Sequence, residues 1–308
     1  MSEYVSKYTI DRRHALKAGA AALAGLAFAP AWARAAQKQT KPSKALEKYP
    51  PLQPLDMTKL PDGWQSIDLF LLTGQSNMKG RGLLPEIPKD ATRVAMLHMR
   101  DDKWYAARHP LHLVGDSQTY QGAGNEGVGP GLKFAESLLE TKKDAGIGLI
   151  PCAVGGTAIS LWQKGAKLYE EAVRRANLAT TSTTALQGKI RGVLWLQGEA
   201  DSKEERVSQY SERLLQMIDD LRADLKDDKL PFIACTILEG KDRTEPSGKS
   251  KINEILLSLS KQRKGTACVD ARDLTGHIGD NVHYDTASQE EIGRRYAAKY
   301  RELVKESS

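Results

Sequence analysis

Short apolar runs that alternate with longer amphipathic segments most constrain how this chain folds. Such an alternation is typical of βα units, in which helices cover both faces of a parallel sheet. The predicted strands are Ile67–Leu72, Ile147–Pro151, Ile190–Leu196, Phe232–Leu238 and Thr266–Asp270. The predicted helices are Gly131–Lys143, Ala166–Ala179, Lys203–Leu225, Lys249–Lys261 and Ala287–Lys305. The pattern therefore predicts an α/β protein with a three-layer, doubly wound sheet of about five mainly parallel strands.

The composition fits one globular domain with additional ends. The 308 residues are 40% hydrophobic and 27% charged, and we find no internal repeat. Of the net charge of +6, half falls in residues 1–35, which hold five basic and two acidic residues. The remainder has no run of Lys and Arg interleaved with aromatic residues, so a nucleic-acid partner is not expected. We predict three parts: residues 1–35, residues 36–64 and a domain at 65–308.

Residues 1–35 resemble a twin-arginine export signal. Arg12 and Arg13 precede an uncharged, alanine-rich run over residues 18–33, and Ala33-Arg34-Ala35 offers a cleavage site. The alternative is a short membrane anchor or a buried helix, but the run is shorter than the ~20 residues that span a bilayer. We therefore expect cleavage after Ala35 and a periplasmic or secreted protein. Residues 36–64, rich in Pro, Lys and Gln, are predicted to form a linker or a wrapping arm.

Cysteine and histidine spacing indicates neither a disulfide framework nor a metal site. All of Cys152, Cys235 and Cys268 fall in apolar runs, so we expect buried free thiols. The histidines outside the C-terminal motif described below are scattered, without paired cysteines or carboxylates. We expect His109 and His112 on a loop that lines the cleft or the surface. No cofactor and no metal are predicted.

A serine follows the first predicted strand, in Gly74-Gln75-Ser76-Asn77-Met78. Ligands of doubly wound sheets bind at the carboxyl ends of strands, so Ser76 is placed where a nucleophile is needed. An isolated serine at such a position is more often a turn residue or a helix cap.

A second motif, Asp280-Asn281-Val282-His283, precedes the last predicted helix. With this spacing the Asp280 carboxylate can accept a hydrogen bond from the imidazole Nδ1, which leaves Nε2 free to take a serine proton. Alone, such a pair is more often a cap beside a solvated histidine. Together with Ser76, it favours a catalytic triad.

Possible oxyanion donors follow the second and third predicted strands. Gly155 and Gly156 permit close approach of backbone N–H groups to a ligand, and Gln197 supplies a side-chain amide at a strand end. With the Ser76 amide they can form an oxyanion hole. Taken one at a time, the two glycines are also typical of an ordinary turn, and Gln197 is also typical of a residue that forms a hydrogen bond within a loop.

Two rival motifs are weaker. The segment Gly122-Ala123-Gly124-Asn125-Glu126-Gly127 has dinucleotide-binding spacing, but no predicted strand precedes it. An α/β-hydrolase places its serine in G-x-S-x-G, whereas Met78 stands in the last position here.

The motifs Gly-Gln-Ser-Asn-Met, Gly-Gly-Thr, Trp-x-Gln-Gly-Glu and Asp-x-x-His, in this order, resemble carbohydrate esterase family six. That family shares the sialate O-acetylesterase-like domain and includes acetylxylan esterases. The resemblance covers about residues 67–300. It implies an SGNH-hydrolase, flavodoxin-like fold and a serine esterase that removes acetyl groups from carbohydrates through an acetyl-enzyme.

Site roles follow from the resemblance position by position. Ser76 is implied as the nucleophile, His283 as the base and Asp280 as its partner, with Gly156 and Gln197 completing an oxyanion hole around the Ser76 amide. The residues implied as neighbours of the site, without an assigned role, are Gln75, Asn77, Gly155 and Glu199.

The expected partner is an acetylated glycan of the xylan or sialic-acid type. Trp162, Trp104 and Tyr105 are candidates for stacking on sugar rings, although aromatic residues are as often core. The alternatives are a short-acyl or lipid esterase of the same fold, or a carbohydrate-binding relative without turnover.

Overall fold

The computed structural model describes residues 46–59, 61, 64–240 and 247–306. The predicted export signal and its cleavage site lie outside these residues. Each of the five predicted strands appears, as β1 Ser66–Gly74, β4 Ala145–Pro151, β5 Lys189–Leu196, β6 Phe232–Cys235 and β7 Thr266–Val269. The other two strands are β2 Val94–Leu97 and β3 Trp104–Ala106.

The sheet has seven strands in the order β3-β2-β4-β1-β5-β6-β7. Only the β2–β3 pair is antiparallel. The α/β prediction is confirmed, while the count of five strands was too low because β2 and β3 have only four and three residues. Strand β1 lies at the centre, between β4 and β5, and its carboxyl end is the crevice where ligands of such sheets bind.

Helices pack on both faces of the sheet. They are α1 Ser76–Lys79, α2 Gly131–Leu139, α3 Lys167–Ser182, α4 Glu204–Asp224, α5 Gly248–Leu257, α6 Leu259–Gln262 and α7 Thr286–Glu306. The predicted helices appear with ends shifted by a few residues, and the fourth is divided into α5 and α6. Short 3₁₀ helices lie at Leu46–Lys48, Ile159–Trp162, Thr184–Leu186 and Glu199–Asp201. In the described part of the chain, no helix is long and apolar enough to cross a membrane.

Residues 46–59 form an arm that runs along the edge strand β3. The Leu55 amide donates to the Trp104 carbonyl over 2.9 Å, and the Ala106 amide donates to the Gln53 carbonyl over 2.9 Å. Leu52 of this arm is 3% exposed, so the arm buries apolar surface as well. Covering an edge strand removes a row of unpaired backbone groups that would otherwise recruit another chain.

The expectations for the cysteines and for His112 have different outcomes. The three cysteines are free thiols, and Cys152 and Cys235 are buried as predicted, whereas Cys268 is partly exposed. Burial raises the pKa of Cys152 to about 11. His112 was expected to line the cleft or the surface, but it is 1% exposed and burial lowers its pKa to about 3. Its ring lies against the end of β1, with Nε2 3.5 Å from the Leu72 carbonyl oxygen.

The buried imidazole of His112 makes stability depend on pH. The folded state prefers the neutral ring, whereas an unfolded histidine titrates near pH 6.5. Above about pH 6.5 the ring is neutral in both states and its protonation costs no stability. As pH falls from about 6.5 towards about 3, only the unfolded state gains the proton, so the free energy of unfolding falls. At pH 5 this loss amounts to about 2 kcal/mol. We expect His112→Leu to reduce the fall of Tm between pH 7 and pH 5 in thermal unfolding. An equal fall of Tm between pH 7 and pH 5 in the two proteins would contradict the assignment of this pH dependence to His112.

Candidate active site

The candidate nucleophile Ser76 lies directly beyond the carboxyl end of β1. The strand ends at Gly74, whose φ is 122° and where a Cβ would lie 2.2 Å from the Leu196 carbonyl oxygen. Only glycine tolerates both conditions. The chain then turns into α1, which begins at Ser76. The Ser76 backbone N–H has no acceptor among the described residues, so it is available to a ligand.

The structure brings Ser76, His283 and Asp280 into one hydrogen-bonded line. His283 Nε2 lies 2.8 Å from Ser76 Oγ, and His283 Nδ1 lies 2.5 Å from Asp280 Oδ2. Because Asp280 accepts a hydrogen bond from Nδ1–H, Nε2 is left to accept a hydrogen bond from the Ser76 hydroxyl. The three side chains therefore have the geometry of a nucleophile, a base and an orienting carboxylate.

Asp280 is itself fixed by its own turn. Its Oδ1 accepts the backbone amides of Val282 over 3.0 Å and His283 over 2.9 Å. Partial burial raises the pKa of Asp280, but the hydrogen bonds from His283 and from these amides outweigh it and hold the pKa well below its usual range. Asp280 thus stays ionised wherever an imidazole titrates.

The Gly155–Gly156 turn follows β4 and lies beside the nucleophile. The Val154 amide donates to the Gly74 carbonyl over 3.1 Å, and a Cβ at Gly155 would lie 3.6 Å from Ser76 Cβ. Gly156 has a φ of 73° and open space around it. Its N–H has no acceptor among the residues that the structure describes. Both glycines are exposed, so a substrate can reach them.

Gln197 is fully buried, and its amide holds the neighbouring turn. Its Nε2 donates to the Thr157 carbonyl over 2.9 Å and to Asp201 Oδ2 over 2.6 Å. These bonds use both hydrogens of the amide, so neither is directed at an oxyanion beside Ser76. With the amide flipped, Oε1 would face the Thr157 carbonyl oxygen and Asp201 Oδ2, which are both acceptors. The sequence expected a direct donor here, whereas the structure gives Gln197 two protein acceptors.

Asp201 is a member of the site that the sequence analysis missed. It is fully buried, and its Oδ2 also accepts the Ile159 amide over 2.8 Å. Together, Asp201 and Gln197 bind the backbone on both sides of Ala158, directly after the Gly155–Gly156 turn. The available signal was a second carboxylate close behind the Trp-x-Gln-Gly-Glu motif.

The residues left without a role lie around the nucleophile. Gln75 Oε1 accepts the Ala200 amide over 3.2 Å. Asn77 is fully buried and donates from Nδ2 to Glu199 Oε1 over 2.5 Å. Burial raises the pKa of Glu199, and its Oε2 has no hydrogen-bond partner among the described residues.

The aromatic candidates for sugar stacking belong to the core. Trp162, Trp104 and Tyr105 are 1%, 5% and 4% exposed. The Trp162 ring meets Trp195 edge to face, with ring centroids 5.4 Å apart. These rings are therefore not available to a sugar.

Comparison with known proteins decides the family. Residues 66–302 match the family model described as carbohydrate esterase, sialic acid-specific acetylesterase. The chain belongs to this carbohydrate esterase family. Membership makes it a carbohydrate O-acetylesterase, with an acetylated carbohydrate as its class of substrate.

Individual relatives of this carbohydrate esterase agree with the family. A probable carbohydrate esterase of Arabidopsis thaliana is 36% identical over 252 residues, which cover 75% of this chain and 89% of the relative. A crystal structure of an Arabidopsis thaliana protein superposes with a TM-score of 0.64 at 33% identity, covering 76% of this chain and 98% of that one. A probable 9-O-acetyl-N-acetylneuraminic acid deacetylase of Escherichia coli K12 is 29% identical over 137 residues, 38% of this chain and 40% of that protein.

Proposed function

We propose that this esterase is a serine hydrolase that removes O-acetyl groups from sugars through an acetyl-Ser76 intermediate. The observation that carries the proposal is the line of hydrogen bonds from Ser76 Oγ to His283 Nε2, 2.8 Å, and from His283 Nδ1 to Asp280, 2.5 Å. Ser76 Oγ attacks the acetyl carbonyl carbon while its proton passes to Nε2. The ester bond then breaks as His283 returns the proton to the sugar oxygen.

Deacylation uses the same groups in reverse. Water gives a proton to His283 Nε2 and attacks the acetyl-Ser76 carbonyl. Collapse of the second tetrahedral intermediate releases acetate and returns the proton to Ser76. Asp280 stabilises the imidazolium that forms in each half-reaction. The proton transfers in these steps use only side chains of this chain and water.

The proposed oxyanion hole consists of the Ser76 and Gly156 backbone N–H groups. Neither N–H group donates to an acceptor among the described residues, and the Gly155–Gly156 turn lies against Ser76. Such donors act because they are aimed in advance at charge that appears only in the transition state. Gln197 would join them only by giving up Thr157 or Asp201, so we assign it to holding the turn.

The proposed substrates are acetylated xylan or O-acetylated sialic acids. The family description and the name of the Escherichia coli relative favour a sialic-acid-type glycan. The test is acetate release from acetylated xylan, an O-acetylated sialic acid and p-nitrophenyl acetate, with p-nitrophenyl octanoate as a long-chain comparison. Faster turnover of the octanoate would favour a lipid esterase, and binding of the glycans without acetate release would indicate a carbohydrate-binding relative.

We further propose that the protein is exported through the twin-arginine signal in residues 1–35. Its support is the Arg12-Arg13 pair ahead of the uncharged run and the Ala33-Arg34-Ala35 site. Replacement of both arginines by lysine is expected to retain the uncleaved protein in the cytoplasm. Mass analysis of the exported fraction is expected to give a start after Ala35. An exported protein that keeps Met1 or Ser2 would refute the assignment.

A further inference from the structure

The side chain of Asn77 connects the nucleophile to the loop that carries the base. Asn77 follows Ser76 in α1 and is fully buried. Its Nδ2 donates to the Val282 carbonyl over 3.0 Å, and its Oδ1 accepts the Tyr284 amide over 3.0 Å. Val282 and Tyr284 are the two neighbours of His283. One side chain therefore fixes the backbone on both sides of the base, starting from the residue next to the nucleophile.

Glu199 is one of the groups that fix the orientation of that amide, together with the Val282 carbonyl and the Tyr284 N–H; Gln289 Nε2 also donates to Asn77 Oδ1 over 3.4 Å. Asn77 Nδ2 gives its other hydrogen to Glu199 Oε1 over 2.5 Å. With the amide reversed, Oδ1 would face two acceptor oxygens and Nδ2 would face the Tyr284 N–H. Burial raises the pKa of Glu199, but a neutral carboxyl group still offers an acceptor oxygen. The orientation of Asn77 is therefore set in either protonation state of Glu199.

Other hydrogen bonds also hold the loop that carries the base, but they do not start beside the nucleophile. Tyr284 Oη donates to the Thr236 carbonyl over 3.4 Å, and Thr286 Oγ1 donates to the Leu83 carbonyl over 3.1 Å. The side chains of Asp280 and His283 are 40% and 18% exposed, so solvent reaches this turn. At His283 itself, the backbone amide donates to Asp280 Oδ1 over 2.9 Å and the carbonyl accepts the Ile278 amide over 3.0 Å, both within the same loop. A bond inside the loop shapes it but does not set its distance from Ser76. Asn77 supplies that cross-connection.

We propose that Asn77 and Glu199 are positioning residues that set the distance between Ser76 Oγ and His283 Nε2. The inference rests on the proposed serine mechanism. Neither residue touches the reacting atoms, and both act through the backbone beside His283. Misplacement of a catalytic group by about 1 Å costs on the order of 10²-fold in rate. The hydrogen bonds of the Asn77 and Glu199 side chains do not include the Gly155–Gly156 turn, so we expect KM to change little.

The test compares three variants in hydrolysis of p-nitrophenyl acetate. Asn77→Ala removes the connection, Glu199→Ala removes one of the two acceptors of the Asn77 amide, and Glu199→Gln retains an acceptor oxygen. Both alanine variants are expected to lower kcat by about 10²-fold and to change KM by less than about threefold. Glu199→Gln is expected to restore kcat to within about fivefold of the unmodified enzyme. Each kcat is measured below the Tm of that variant, so that unfolding does not contribute.

A matched control exists at Asn253. This residue is 1% exposed, donates to Glu239 Oε1 over 2.8 Å and binds both backbone groups of Ile237, but it does not contact the triad. Asn253→Ala also removes a buried Asn–Glu connection, so it measures the effect of lost stability alone. We expect its kcat to stay within about threefold of the unmodified enzyme.

The outcomes separate this inference from the serine mechanism. If the unmodified enzyme hydrolyses the ester and Glu199→Ala keeps normal kcat, the positioning role is refuted while the mechanism stands. Equal losses of kcat in Glu199→Gln and Glu199→Ala would also refute it, because the acceptor would then be irrelevant. An unmodified enzyme that is inactive, or a fully active Ser76→Ala variant, would refute the mechanism itself.

Discussion

Ser76→Ala is expected to lower kcat for p-nitrophenyl acetate by about 10³-fold or more and to leave Tm nearly unchanged. Ser76 Oγ supplies the bond to the acetyl carbon, and no other hydroxyl occupies the position 2.8 Å from His283 Nε2 within the described residues. The substitution removes one oxygen from a small side chain just beyond the carboxyl end of β1, so it costs little packing. Steady-state kinetics and thermal unfolding of the same preparations measure the two effects.

Two further variants make the result for Ser76 specific. Ser208→Ala, on the exposed face of α4, is the control for removing a serine hydroxyl, and its kcat is expected to be unchanged. The double variant with Ser76→Ala and His283→Ala is expected to be no slower than Ser76→Ala alone, because nucleophile and base act as one unit. Residual turnover of more than about a tenth in Ser76→Ala would refute the assignment of the nucleophile.

The sheet was largely predictable because its central strands are buried on both faces. A continuous apolar run such as that of β5 must be buried on both faces, and a strand inside a sheet covered by helices is one of few structures that do so. The short strands β2 and β3, at one side of the sheet, were missed because short strands carry little periodic signal. The backbone of β3 forms hydrogen bonds with the arm at residues 46–59. Pairing between segments about fifty residues apart leaves no local sequence pattern.

The motifs predicted which side chains meet, but not what each of them binds. Ser76, Asp280 and His283 were chosen by type and spacing, and the fold brings them together. The partners of Gln197 were not visible, because the hydrogens of an amide go to whichever acceptors the packed structure presents. Asp201 was missed for the same reason, since its role depends on a backbone amide from a different loop.

Gln197→Ala is expected to lower kcat by about 10²-fold and to lower Tm as well, because Gln197 holds the turn that carries the Gly156 amide. The substitution leaves the Thr157 carbonyl without this donor and removes one of the two hydrogen bonds to the buried Asp201 carboxylate. Each buried group that loses its partner costs about 1–3 kcal/mol. A direct oxyanion donor would give a similar loss of kcat, about 10²–10³-fold, so this variant alone does not distinguish the two roles.

Asp201→Ala distinguishes the two roles of Gln197, which are holding the turn and donating directly to the oxyanion. This variant leaves the Gln197 amide in place and frees the hydrogen that Asp201 accepted, while it removes the anchor at the Ile159 amide. If Gln197 holds the turn, Asp201→Ala lowers kcat as Gln197→Ala does, and the double variant is little worse than either single one. If Gln197 donates directly to the oxyanion, Asp201→Ala keeps most of kcat and the effects of the two substitutions add. If Gln197 instead contacts the sugar, its loss raises KM for the acetylated glycan while p-nitrophenyl acetate is hydrolysed normally. Measuring kcat and KM on both substrates for the three variants therefore assigns the residue, because each role predicts a different combination.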